Sequence, residues 1–154
     1  MALPVTISGV AFPNGNYFCG PFKSGSAYYA VFRVPATGVD IGVFKATDPT
    51  ASFSEQDASN GPDVGGALLS LWAFQDGTDL KIVTAVATSD PEYRYHVFHM
   101  ATDLWDGTLK NETIEDVKDQ PASGNFSCSL AVRSDGDVVV LYNGDRDAVM
   151  GTNY

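Results

Sequence analysis

Apolar residues in this chain recur in short runs separated by turn residues, not at helical spacing. The runs cover residues 28–34, 41–44, 68–74, 80–86, 93–100, 126–132 and 138–142. Each has the length of a strand, and most are rich in β-branched or aromatic side chains. Several are apolar on both faces, as in Val138-Val139-Val140-Leu141. A strand with one wet face alternates, whereas a run without alternation is buried on both sides. No segment carries a helical period, so the pattern predicts an all-β protein.

The turns between runs repeat. Gly38-Val39-Asp40-Ile41-Gly42-Val43 resembles Gly77-Thr78-Asp79-Leu80-Lys81-Ile82, and both resemble Gly136-Asp137-Val138-Val139-Val140 with one residue fewer. Gly38, Gly77 and Gly136 are expected at hairpin turns, where glycine adopts positive φ without steric cost. Asp76-Gly77 and Asp135-Gly136 are strong hairpin signals; Thr37-Gly38 is a weaker one. Their spacing of about 40 to 60 residues brackets the roughly 40–50 of a four-stranded propeller blade. The expected architecture is a partial β-propeller of about three blades, each an antiparallel four-stranded sheet. Residues 1–27 are then an N-terminal strand, at 5–12, and a lead-in. Residues 28–63 and 64–122 form the first and second blades, and 123–154 an incomplete third. Residues 57–66 and 107–124 read as polar linkers, the second holding an outer strand at 109–114. Residues 148–154 read as the start of a further strand.

Composition supports a folded β-rich domain: the chain is 44% hydrophobic and 18% charged, with fifteen glycines and eight prolines to supply turns. The formal net charge of −10 repels phosphate backbones, which argues against a nucleic-acid partner. No apolar run approaches the roughly 18 residues of a membrane-crossing helix. The N-terminal residues lack the basic start and long apolar centre of a signal peptide, so a soluble protein of unassigned compartment is expected. Cys19 and Cys128 are too few for a disulfide framework and have no zinc-ligand spacing. Two small buried side chains and a single bridge between them remain alternative readings.

Two segments resemble a known motif. Sialidases and related BNR-repeat propellers carry an Asp-box, roughly Ser-x-Asp-x-Gly-x-Thr-Trp, in the hairpin between a blade's third and fourth strands. Ala46-Thr47-Asp48-Pro49-Thr50-Ala51-Ser52-Phe53 is similar to it, with Asp48, Ser52 and Phe53 in the Asp, Thr and Trp places. Ala46 and Thr50 replace the Ser and Gly. Ala101-Thr102-Asp103-Leu104-Trp105 is a shorter echo, contributing Asp103 and Trp105. The resemblance implies structural roles, with the carboxylate bonding turn backbone and the aromatic plugging the blade. Phe32-Arg33-Val34-Pro35 resembles the Phe/Tyr-Arg-Ile-Pro motif of sialidases, whose Arg belongs to a trio gripping a substrate carboxylate. The resemblance implies that role for Arg33, against an inter-blade or surface role. The family's acid Asp, Glu, Tyr and further Arg contexts have no counterpart; Asp40, Asp48, Arg94, Arg133 and Arg146 lack the flanking patterns.

Other constellations carry less chemistry. His96 and His99 stand three apart on one strand and point to opposite faces, so they are expected as two half-exposed residues, not a metal pair. Asp135, Asp137, Asp145 and Asp147 read as solvated turn carboxylates, since their spacing does not fit an EF-hand loop and Arg146 opposes a cation. Tyr28, Tyr29, Tyr93 and Tyr95 can stack on a sugar ring or pack between sheets. No metal or cofactor is expected, and no serine has a nucleophile-elbow setting. The sequence therefore points to a non-catalytic propeller module for binding or assembly. Its partners would be further blades of a longer chain or further copies of this one. The alternatives are a sialidase-type glycoside hydrolase and a glycan-binding propeller without hydrolysis, Arg33, Tyr28, Tyr93 and Tyr95 being the candidate ligand residues.

Overall fold

The computed structural model describes residues 18–36, 39–48, 50–65, 67–87, 92–108, 112–116, 128–134 and 137–142. Its elements are strands, apart from one 3-10 turn at Ala58–Asn60. β1 (Phe18–Ser24), β2 (Ala27–Ala36), β3 (Val39–Ala46) and β4 (Ser54–Gln56) form one antiparallel sheet in chain order. β5 (Ala67–Asp76), β6 (Asp79–Ala87), β7 (Glu92–His99) and β8 (Leu104–Trp105) form a second, also in chain order. β9 (Glu112–Asp116) pairs with the start of β7 while β8 pairs with its end, so together they make an interrupted fourth strand. β10 (Cys128–Val132) and β11 (Val138–Tyr142) form a separate antiparallel hairpin.

Strand parity decides which side chains meet. Ala27, Tyr29 and Val31 of β2, with Ile41 and Val43 of β3, pack against Leu71, Ala73, Leu80, Ile82, Val86 and Phe98 of the second sheet. The other face of the first sheet buries Ala30, Phe32, Val34 and Phe44, with Phe53 half-buried against them. The first sheet is therefore apolar on both sides, which is why β2 reads as a continuous apolar run. The second sheet is buried on both sides too, through Val83, Ala85, Tyr93 and Val97 on its far face. β10 lies against β5 and β6, and β1 lies against β5.

Two bulges adjust the parity. Register slips between Leu68 and Ser70 of β5, so Leu68 and Leu71, three apart, both reach the inter-sheet core. A second slip between Cys19 and Phe22 of β1 brings those two residues to the same side. β7 has no such slip along its pairing with β6, so His96 and His99 stay on opposite faces.

Two sequence expectations need correction. The Gly38 and Gly77 hairpins are not equivalent: β2–β3 joins the second and third strands of its sheet, whereas β5–β6 joins the first and second. The position matching Gly77 is Gly25, between β1 and β2, and both have positive φ, 58° and 59°. The first sheet begins at Phe18, inside the stretch assigned to a lead-in, because Gly20-Pro21 and the bulge interrupt the strand pattern of β1. The outer strand expected at 109–114 within residues 107–124 is met by β9, at Glu112–Asp116. Gly38, Gly136, the strand expected at 5–12 and the one expected at 148–154 lie outside the described residues.

Candidate functional site

The two Asp-bearing segments occupy the same topological place. Asp48 lies between β3 and β4, and Asp103 between β7 and β8, each connecting a third strand to a fourth. Their chemistry differs. Asp48 is exposed, and its Oδ1 accepts from the Thr50 amide at 2.7 Å and the Thr50 hydroxyl at 2.6 Å. These two bonds hold its carboxyl below the usual range. Ser52 is exposed on the same connection. Asp103 instead reaches across to the first sheet. Its Oδ1 accepts from the Tyr29 hydroxyl at 2.8 Å, and its Oδ2 pairs with Lys45 Nζ at 2.5 Å. Tyr29 OH also lies 2.9 Å from the Met100 carbonyl, and Lys45 Nζ sits 5.5 Å from the Tyr29 ring centroid. Burial, then the Asp103 contact, raises the Tyr29 phenol; the Asp103 hydrogen bond raises the Lys45 ammonium.

A reciprocal contact runs the other way. Asp57, just after β4, accepts the Trp105 backbone N–H at 3.0 Å, while the buried Trp105 ring packs edge-on against Phe98 at 5.2 Å. Asp57 and Asp103 are the non-glycine residues with positive φ, 48° and 59°, among those described. Such backbone is sparsely populated and persists where surrounding contacts over-determine it. Both carboxylates thus bridge the two sheets.

The far face of the second sheet holds the other cluster. The β5–β6 and β6–β7 registers place Trp72, Val83 and Tyr95 in one row, Phe74, Lys81 and Val97 in the next, and Asp76, Asp79 and His99 in the third. Trp72 and Phe74 are 44% and 37% exposed. Lys81 Nζ pairs with Asp76 at 3.0 Å. Tyr95 is half-buried, and its phenol is pushed up to about 12, first by burial and then by the charges of Asp76 and Asp79. His99 lies between Asp79 and Asp106, at 2.9 and 3.1 Å.

The expected ligand residues do not converge. Tyr93 and Tyr29 are fully buried, so neither offers an open ring face. Tyr28 is half-buried with Lys23 Nζ 5.6 Å from its ring centroid, on the first sheet and not beside Tyr95. Arg33 is half-buried on β2, and its charge, with the Val64 amide, lowers the Asp40 carboxyl, which burial nevertheless holds above its ordinary value. Arg94 is bound to Glu92 on its own strand at 2.7 Å, and Arg133 to Asp137 in the β10–β11 hairpin at 3.3 Å. The three described arginines thus belong to three different sheets, and Arg94 and Arg133 are engaged by local carboxylates, so the three do not converge. Arg146 and three of the four turn aspartates, Asp135, Asp145 and Asp147, lie outside the described residues.

His96 departs from its expected half-exposure: it is fully buried, 2.9 Å from the equally buried Thr84 hydroxyl. No substrate reaches this pair, so it is a packed hydrogen bond and not a nucleophile with its base. Cys19 is a free thiol whose Sγ donates to the Leu71 carbonyl at 3.7 Å, and burial pushes its pKa up. That makes it a poor nucleophile. Among the described residues, no group of three or more His, Cys, Asp or Glu is arranged to hold a metal, and no helix is long and apolar enough to cross a membrane. Lys45, Asp57 and Asp106 escaped sequence reasoning, since each acts through a partner on another strand; Trp72 and Phe74 escaped it because an apolar run does not mark which of its faces stays exposed. No family model, curated protein or solved structure matches the chain.

Proposed function

We propose that this chain is a propeller-type module that binds or assembles and does not catalyse. The observation that carries the reading is the succession of first strands. β1 lies against β5 and β5 against β10, each the first described strand of its meander. Blades fanned around a common axis have this neighbour relation. The Asp48 and Asp103 segments, both at third-to-fourth strand connections, add support. Among the described residues, three of the four large exposed hydrophobics, Phe18, Trp72 and Phe74, also fall on first strands. Phe18 is exposed on the outer face of the first sheet and Trp72 and Phe74 on the far face of the second; exposed aromatics are suited to contact with a partner, either further blades or another copy of the chain.

Trp72 and Phe74 favour a second reading, glycan binding without hydrolysis, because an aromatic face beside charged groups suits a sugar ring. The sialidase reading rests on Arg33 and gains nothing from the placement of Arg94 and Arg133. Light scattering, a glycan array and a fluorogenic sialoside assay separate the three. Association that weakens in Trp72→Ser and Phe74→Ser variants supports assembly. Array binding lost in the same variants supports the glycan reading. Sialoside turnover abolished by Arg33→Lys in a folded protein would overturn the non-catalytic proposal.

A further inference from the structure

The fourth strand of the second sheet departs from β7 directly after β8, at Asp106. Asp106 organises that departure. Its amide donates to the Val97 carbonyl at 2.9 Å, and its Oδ1 accepts from the Thr108 amide at 2.8 Å. Its other oxygen, Oδ2, meets His99 Nε2 at 3.1 Å, while His99 Nδ1 meets Asp79 Oδ1 at 2.9 Å. Ionised carboxylates only accept hydrogen bonds, and a neutral imidazole has a single N–H. The neutral ring can therefore satisfy one of these contacts; the imidazolium donates to both.

We propose that His99 is a protonation-dependent latch, tying the segment directly after β8, Asp106–Thr108, to the start of β6 when both ring nitrogens carry hydrogen. The surrounding charges favour the cation. Asp79 faces it from β6, Asp106 from the β8 side, and Asp76 stands beside Asp79 at the β5 end. Tyr95 is on the same face of β7 and stays neutral below about 12. Lys81, the basic residue on this face, is occupied by Asp76. Arg94 and Glu92 pair with each other on the opposite face of β7. The His99 pKa lies above its ordinary value, through the Asp79 hydrogen bond first, with burial opposing. A group with a raised folded-state pKa stabilises fully below its unfolded value, about 6.5, and loses that contribution as pH rises through the folded value. The latch is thus closed in mild acid and released toward alkaline pH. The His99 side chain is 37% exposed, so it exchanges protons without unfolding.

Proton NMR of the intact chain tests this. His99→Gln removes one of two imidazole resonances and so assigns the other. The His99 resonance is expected to titrate above about 6.5. Asp106→Asn should move that midpoint down, while Asp137→Asn, in a different hairpin, should leave it in place. Protection of the Thr108 amide against hydrogen exchange should fall as pH passes the midpoint. A wild-type midpoint at or below the ordinary value overturns the latch. So does a midpoint unmoved in a folded Asp106→Asn protein, or Thr108 protection that stays level through the titration.

Discussion

Tyr29 carries a hydroxyl into the seam between the sheets, where the Asp103 carboxylate and the Met100 carbonyl both wait for it. Tyr29→Phe keeps the ring and removes the only donor it offers. We expect a loss of about 1–2 kcal/mol in urea unfolding, the usual cost of stranding a partly buried acceptor. Lys45→Met should cost less than removing Asp103, because Asp103 also holds Tyr29. Asp48 is a contrasting case. Its two bonds stay within an exposed turn, so Asp48→Ala should lower the melting temperature slightly and leave any binding activity intact. Loss of activity without loss of stability would show that the Asp48 carboxylate does more than pin its turn. The sequence marked Asp48 and Asp103 alike as turn residues. It could not separate them, because Asp103 acts through Tyr29 and Lys45, which are distant along the chain.

Glycines show how elements constrain residues differently. Gly77 has φ 59° and open space where a Cβ would stand. Gly77→Ala therefore pays only for backbone strain, about 1 kcal/mol. Gly42 has ordinary backbone, but an added Cβ would lie 2.6 Å from Val34 Cγ2 and 2.9 Å from Phe44 Cε2, both in buried residues. Gly42→Ala is expected to cost about 1–3 kcal/mol by overpacking. Denaturation of the two variants side by side checks the order; a more damaging Gly77→Ala would refute the packing of the outer face. At the same scale, amide exchange should be slowest in β2, β3, β6 and β7, which are paired on both sides. It should be faster in β4 and β8, which are short and terminate their pairings. Those two strands were also the ones least visible in the sequence: Ser54–Gln56 and Leu104–Trp105 are too short for a period to show.

The two large sheets share one core. Leu80 and Ile82 are fully buried in the cluster that also contains Val31, Ile41 and Val43. The contacts of Asp57 and Asp103 cross the same boundary from opposite directions. Both sheets should accordingly unfold together. Leu80→Ala should cost about 2–5 kcal/mol and lower exchange protection in β2 as well as β6. Two separated calorimetric transitions, or loss of protection confined to the second sheet, would show that the sheets fold independently. The formal net charge is −10, and Trp72 and Phe74 stand exposed on the far face of the second sheet.

The sequence alone determined that the chain is all-β, and it placed β2, β3, β5, β6, β7, β10 and β11 to within a few residues. Local period and turn chemistry suffice for that, since each strand carries its own pattern. The repeat is out of step in the sequence because β1, with Gly20-Pro21 inside it, hides its pattern, so the β2–β3 hairpin resembles β5–β6, whose topological counterpart is β1–β2. Only the tertiary structure decided which aromatics are buried, which carboxylates bridge the sheets, and that His99 sits between two acids. Those outcomes depend on bulges that shift parity by one residue and on contacts between segments tens of residues apart. Neither leaves a mark in local spacing.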